Sequence, residues 1–191
     1  VVFSALIHLP LAGAIAWFFY GSETVVLSAI WGGVGGIASG VVALGVLPVL
    51  ASVFGITTTQ TLLDLTDRNH PALRRIEETA PGTFNHSILV GNLADRASRA
   101  VGANPLLARA MAYYHDLGKT VQPKYFVENQ FGVTNPHDRL PPEESAAIIR
   151  SHVAEGLRLA REYRIPPDVA RGILTHHGTS LMRYFSHKGE E

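Results

Sequence analysis

The chain contains no cysteine, so disulfides and thiolate metal sites are excluded, and any metal must be held by imidazole and carboxylate. Charge is nearly missing from the first 56 residues. Glu23 is the one acidic or basic side chain there, and all 16 Lys and Arg follow residue 60. Acidic and basic residues balance at 16 each, so net charge gives no sign of a surface for a nucleic-acid polymer. The N-terminus lacks the basic n-region and small-residue cleavage site of a signal peptide. Period-two strand patterns and internal repeats are also lacking, and the composition therefore points to an all-α chain. The first residue is Val rather than Met, inside an apolar run, as expected of a piece of a longer protein.

What is present begins with two apolar stretches. Residues 1–20 are interrupted only by His8 and Pro10, and 24–63 are 40 consecutive residues without an acidic, basic or imidazole side chain. A bilayer core needs about 20 apolar residues in helix, so both qualify as spans. Forty uncharged residues are too many for the core helices of a domain this size, and no polar face exists for a surface helix. Trp17, Phe18, Phe19 and Tyr20 form an aromatic end, and Gly21-Ser22-Glu23 makes a tight turn, which predicts an antiparallel transmembrane hairpin over 1–56. Gly32, Gly36 and Gly40 form a ridge suited to helix–helix association. Pro48 is expected to end or kink the second span. The turn has no basic residue, whereas Arg68, Arg74 and Arg75 follow the second span, which places the C-terminal region in the cytoplasm.

From residue 57 the chain reads as helix throughout. Residues 57–80 are expected as a juxtamembrane linker helix, with a short helix from His70-Pro71 to Thr79 broken at Pro81-Gly82. Residues 81–191 form the second domain. Its first helix, Phe84 to Val101, has Leu89, Leu93, Ala97 and Val101 as its apolar stripe and ends at Gly102. Others run from Asn104-Pro105 to Asp116, from Pro141-Pro142 to Tyr163, and from Pro166-Pro167 through His177. The segment 119–140 reads as a long loop.

Five histidines, His86, His115, His152, His176 and His177, fall on the apolar faces of four successive helices, and Asp116 follows His115 directly. Each alone is most often a hydrogen-bonded core or boundary histidine. Burying all five in one small bundle is costly unless something coordinates them. Six ligand residues exceed what one tetrahedral ion needs, which favours two divalent ions, and imidazole with carboxylate suits Mn, Fe, Co or Zn without choosing among them. Two such ions clamp a phosphate for in-line displacement. Asp116, with two oxygens in the middle of the set, is the natural bridge. Lys119, one turn on, is placed either to neutralise the phosphate or simply to sit as a charge at a helix end. His137-Asp138, after Asn135-Pro136, could also face the site, but a solvated turn is the expected reading, and His8, His70 and His187 are expected as structural or exposed.

The order His86, His115-Asp116, His152, His176-His177, with steps of 29, 36 and 24 residues around HDLGK, resembles the HD superfamily of metal-dependent phosphohydrolases. The segments NHPALRRIEETAPGTFNHSILVGNLA, NPLLARAMAYYHDLGK, ENQFGVTNPHDRL and HHGTSLMRYF are similar to the seven-transmembrane HD proteins of the PgpH type. That resemblance implies a transmembrane hairpin followed by an α-helical HD-domain bundle in the bacterial inner membrane. It implies a multi-pass phosphodiesterase that converts cyclic di-AMP to linear pApA. It also implies metal ligation by His86, His115, Asp116, His152, His176 and His177. The family pattern closes with a further Asp well after the HH pair, so a C-terminally truncated, incomplete HD domain is expected. The residues themselves leave open a phosphohydrolase of cyclic di-GMP or of a nucleoside triphosphate, a catalytically silent signalling module, and a membrane scaffold joined through the glycine ridge.

Overall fold

The computed structural model describes residues 2–132 and 134–179, and every regular element among them is helical. The chain divides into two compact units, 1–56 and 57–191.

The first unit is a helical hairpin. Helix α1 spans Val2–Tyr20, a 3-10 turn spans Ser22–Thr24, and α2 spans Val25–Val53. Pro48 sits inside α2, and the helix continues past it to Val53. The glycine ridge faces α1 of the same chain: a Cβ on Gly32 would lie 2.4 Å from Ala12 Cβ, and one on Gly36 would lie 2.9 Å from Ala5 Cα. Gly40 is buried as well. Small residues therefore let two apolar helices approach until backbone meets backbone. Their large side chains point outward, with Trp17 and Trp31 each 67% exposed. Both helices are long and apolar enough to cross a membrane, and only 11% and 6% of their most apolar windows are buried. A core helix of a water-soluble domain would be mostly covered, so the pair suggests membrane anchoring. His8 returns its Nδ1 to the carbonyl of Ser4 in its own helix at 2.8 Å.

In the second unit, α3 spans Thr59–Thr66, α4 Pro71–Thr79, α5 Pro81–Ala100, α6 Pro105–Tyr114, α7 Pro142–Glu162 and α8 Pro167–Thr175. Proline occupies the first position of α4, α5, α6, α7 and α8, where its missing N–H costs nothing. Asn104 caps α6 by accepting from the N–H groups of Leu106 and Leu107, both at 3.1 Å. The segment 57–80 contributes Leu62, Leu65, Leu73 and Ile76 to the same core as Tyr114, Leu117, Leu159 and Ile173.

Three expectations are corrected. The short helix ends at Thr79 as expected, but the next one, α5, starts at Pro81 rather than near Phe84, and Ala80 alone separates α4 from α5. The Leu89, Leu93, Ala97, Val101 stripe faces outward, with Leu89 and Leu93 each 65% exposed. The buried stripe of α5 is Thr83, Ser87, Gly91 and Asp95. Close packing on α6 decides this, because a Cβ at Gly91 would lie 2.4 Å from the Tyr113 ring, and only small side chains fit along that line. Asp95 is accommodated there by Arg99 at 2.8 Å and Arg109 at 3.2 Å. Finally, the expected loop 119–140 is built of short 3-10 turns, at Leu117–Val121, Pro123–Tyr125, Val127–Asn129 and Pro136–Arg139.

His70 caps α4, accepting from Ala72 N–H at 3.3 Å, and lies 3.0 Å from the hydroxyl of buried Tyr114. Burial pushes its imidazole below the ordinary value, against the raising effect of Asp64 and Asp67. The neutral ring is thus the folded form. Its stabilisation is present above about pH 6.5 and is lost as pH falls through the lowered folded value. H70N keeps a capping side chain. It should match the wild type in urea midpoint near neutral pH and lose less stability on acidification, as read by denaturation at a series of pH values. An acid sensitivity equal to that of the wild type would remove His70 from the account.

Candidate metal centre

Helix α6 ends at Tyr114, two residues earlier than expected, so His115 and Asp116 sit in the turn that leads into the 3-10 segment Leu117–Val121. That turn lies directly against α7. A Cβ at Gly118 would fall 1.8 Å from the carbonyl oxygen of His152, and 2.5 Å from the N of Gly156. Only glycine admits this approach, and it sets the HD turn beside the middle of α7, where His152 projects. Helix α8 stops at Thr175, so His176 and His177 occupy the following turn.

The structure brings all six expected residues together. His152, His176 and His177 form one group, and His86, His115 and Asp116 another; within each, the ligand atoms lie within 4.8 Å of one another. Asp116 joins them, with Oδ1 3.6 Å from Nε2 of both His152 and His176. The imidazoles are oriented by their own helices. Nδ1 of His115 donates to Ala112 O at 2.6 Å, Nδ1 of His176 donates to Ile173 O at 2.9 Å, and Nδ1 of His152 donates to Ile149 O. For His152 and His176 this bond consumes the ring proton of a neutral imidazole and leaves an Nε2 lone pair turned inward, whereas Nε2 of His115 lies 3.0 Å from Asp116 Oδ2 and donates to it when the ring is protonated.

Nε2 of His177 lies 3.2 Å from that of His152 and can donate to it, which leaves the lone pair of His176 facing another acceptor. Nε2 of His152 is 3.3 Å from Nε2 of His176, and the buried Oδ1 of Asp116 beside them has no hydrogen-bond partner. Acceptors facing acceptors in a buried site repel, and a divalent cation turns that arrangement favourable. The residues fit a metal. Burial holds His152, His176 and His177 below the ordinary imidazole value, and His152 keeps the neutral form a ligand needs at 2% exposure. Burial also opposes ionisation of Asp116, but His115 and Lys119 outweigh it and keep the carboxyl well below the usual carboxylate range. Burial disfavours the charged form of His115, whose hydrogen bond to Asp116 (Oδ2, 3.0 Å) nevertheless raises it.

Lys119 lies with Nζ 2.8 Å from Asp116 Oδ2 and 2.7 Å from Glu128 Oε1, over the ring of Phe126. Glu128 was not expected at the site. It stands in the ENQ run of an aperiodic segment, and only folding brings it next to Lys119. His137, expected in a solvated turn, is buried and donates from Nε2 to Tyr125 O at 2.9 Å, away from the six-residue cluster. His187 and the Ser180–Phe185 part of the HHGTSLMRYF segment lie outside the described residues. Beside the centre is a cavity of about 490 Å³ lined by His86, Val90, Met111, His115, Thr175 and His176 among others.

A family model described as HD domain matches residues 83–190. The chain belongs to the HD-domain family. HD domains are metal-dependent phosphohydrolases, and this one carries the His and Asp groups to bind such ions. It is 48% identical over 162 residues to the cyclic-di-AMP phosphodiesterase PgpH of Bacillus subtilis, covering 85% of this chain and 23% of that protein. The PgpH of Listeria monocytogenes is 45% identical over 157 residues, covering 82% and 22%. A crystal structure of the L. monocytogenes PgpH HD domain in complex with cyclic-di-AMP superposes with a TM-score of 0.62 at 47% identity, covering 65% of this chain and 58% of that one. The chain thus spans less than a quarter of the length of these two curated relatives.

Metal uptake should fall as pH falls, because a protonated imidazole cannot ligate. With His152, His176 and His177 held low by burial, their half should lose metal below about pH 6.5, whereas the half that contains His115, raised by Asp116, should lose it first. D116N should empty both halves of the centre. Mn titrations followed by the free-ion EPR signal test both, and full uptake by D116N would show that Asp116 is not the shared ligand.

Proposed function

We propose that this HD domain hydrolyses cyclic di-AMP to linear pApA at a pair of divalent ions. The observation that carries the reading is the convergence of the inward Nε2 lone pairs of His152 and His176 on the unpartnered Oδ1 of Asp116. In this reading His86, His115 and Asp116 hold one ion, His152, His176 and His177 hold the other, and Asp116 is shared. The ions in this reading are Mn or Fe foremost, with Co or Zn as alternatives that the all-nitrogen-and-oxygen donor set suits as well. When bound, such ions supply an activated water and a charge clamp on the phosphate.

The chain's own residues do the rest. Asp116 stays ionised and keeps the ligand set anionic. Lys119 is the cation closest to Asp116 and lowers the cost of negative charge developing on the scissile phosphate. The cavity walls at Val90 and Met111 offer an apolar surface to a nucleobase, while His86, His115 and His176 set the phosphate edge of the same space. The choice of cyclic di-AMP over cyclic di-GMP or a nucleoside triphosphate draws its support from the PgpH relatives and the ligand in the L. monocytogenes complex. A silent signalling module would have no use for six converging ligands.

The same reading makes α1 and α2 the last spans of a multi-pass protein of the bacterial inner membrane, with the HD domain cytoplasmic. The glycine ridge then serves the hairpin itself, since Gly32 and Gly36 are already seated on α1.

The full-length protein, loaded with Mn, should hydrolyse cyclic di-AMP in preference to cyclic di-GMP and nucleoside triphosphates. K119A should retain metal and lose roughly 10²-fold in kcat. Hydrolysis of cyclic di-GMP alone would replace the substrate, and no hydrolysis of any of them would sink the enzymatic reading. A cysteine at Ser22 should label from outside intact cells, and labelling only after permeabilisation would reverse the topology.

A further inference from the structure

The 3-10 turn Val127–Asn129 makes more connections than a connecting loop requires. Glu128 Oε1 accepts from Lys119 Nζ at 2.7 Å and from Thr83 Oγ1 at 3.0 Å. Asn129 Oδ1 accepts from Thr83 N–H at 3.1 Å, and its Nδ2 donates to Thr83 Oγ1 at 2.9 Å. The contact is close at the backbone too: a Cβ on Gly82 would lie 1.8 Å from the carbonyl oxygen of Glu128. Thr83 is fully buried and Lys119 is 15% exposed at its side chain.

The placement of these partners matters. Thr83 is on α5, three residues before His86 and so on its neighbouring turn. Lys119 is three residues after Asp116 and pairs with its Oδ2 at 2.8 Å. Glu128 therefore bridges the beginning of the helix that carries His86 and the turn that carries His115 and Asp116. His86 is exposed, and α5 presents an apolar stripe outward beyond it. The polar link at 128–129 ties the start of α5 to the HD turn, in addition to the packing of Gly91 on Tyr113.

We infer that Glu128, with Asn129, is a positioning residue for the metal centre. It acts through Lys119 on the Asp116 carboxylate, and through Thr83 on the distance between His86 and the His115-Asp116 pair. Holding Lys119 at Glu128 keeps the ammonium on Oδ2 of Asp116 and leaves Oδ1 for the shared position. This rests on the metal-centre reading above. Without the strap, Lys119 is free to cover both oxygens of Asp116 and compete with a cation there, and the His86 group opens.

The test is Mn binding to the full 191-residue chain and to E128A, E128Q and T83V, by equilibrium titration, alongside thermal unfolding without metal. E128Q is nearly isosteric and keeps the test available should E128A fold poorly. Loss of a residue that orients metal ligands typically lowers affinity roughly 10–100-fold. E128A and T83V should fall in that range for the His86, His115, Asp116 half, E128Q should lie between them and the wild type, and metal-free unfolding should change little. The E128A/T83V double variant should bind more tightly than the sum of the two separate losses predicts, because both break the Thr83–Glu128 link. Wild-type affinity in all three single variants would overturn the inference, as would a lowered unfolding midpoint with unchanged affinity, which marks a merely structural strap. A wild-type chain that takes up no Mn would overturn the metal-centre reading itself.

Discussion

The metal centre depends on a contact between two stretches of backbone. Gly118 lies so near α7 that a Cβ would meet the His152 carbonyl at 1.8 Å, and Gly156, one turn further along α7, is also confined, with a Cβ there 2.8 Å from Ile173 Cγ2. No side chain separates the HD turn from α7, and only the Ile173 side chain of α8 packs on Gly156. That absence of bulk lets ligands from three elements meet within hydrogen-bonding distances. Protein interiors transmit small displacements because they are close-packed, so any side chain at Gly118 would move His152 away from Asp116.

Given that approach, the rings are aimed by an economical device. A histidine near a helix C-terminus can return Nδ1–H to the carbonyl three residues back, one of the acceptors that a helix end leaves unused. His115 and His176 both do so at the ends of α6 and α8, and His152 does the same within α7. The same bond satisfies a buried donor and fixes the tautomer, with the other nitrogen directed at the centre. The early ends of α6 and α8 thus put the rings on terminal turns, where the carbonyls are available.

Charge around Asp116 is arranged on one side only. Lys119, itself shared with Glu128, neutralises Oδ2, and Oδ1 is left among imidazole lone pairs. An ionised carboxylate buried to 3% exposure is costly unless paired. One oxygen is paired with protein, and the other has no hydrogen-bond partner among the described residues. Across the unit, the apolar core of Tyr114, Leu117, Leu159 and Ile173 lies under this polar layer and keeps its floor rigid.

The helical content, the two apolar stretches and the six His and Asp residues that cluster were legible in the sequence, because each rests on local information. Hydropathy over 20 residues, proline at helix starts, and histidines spaced along apolar faces need no knowledge of the partner surface. The resemblance to the HD superfamily implied the same six as metal ligands, and the fold divided them into two groups joined by Asp116. Tertiary structure alone decided which face of α5 is buried. Periodicity chose the leucines, whereas the close crossing at Gly91 and Tyr113 required Thr83, Ser87 and Asp95. It also decided that the glycine ridge of α2 seats α1, that His137 is buried against Tyr125, and that Glu128 belongs with Lys119. The reason is common to all four. Hydropathy and spacing report what a side chain is, but the distance of closest approach between two backbones fixes what it faces, and that distance exists only once the chain has folded.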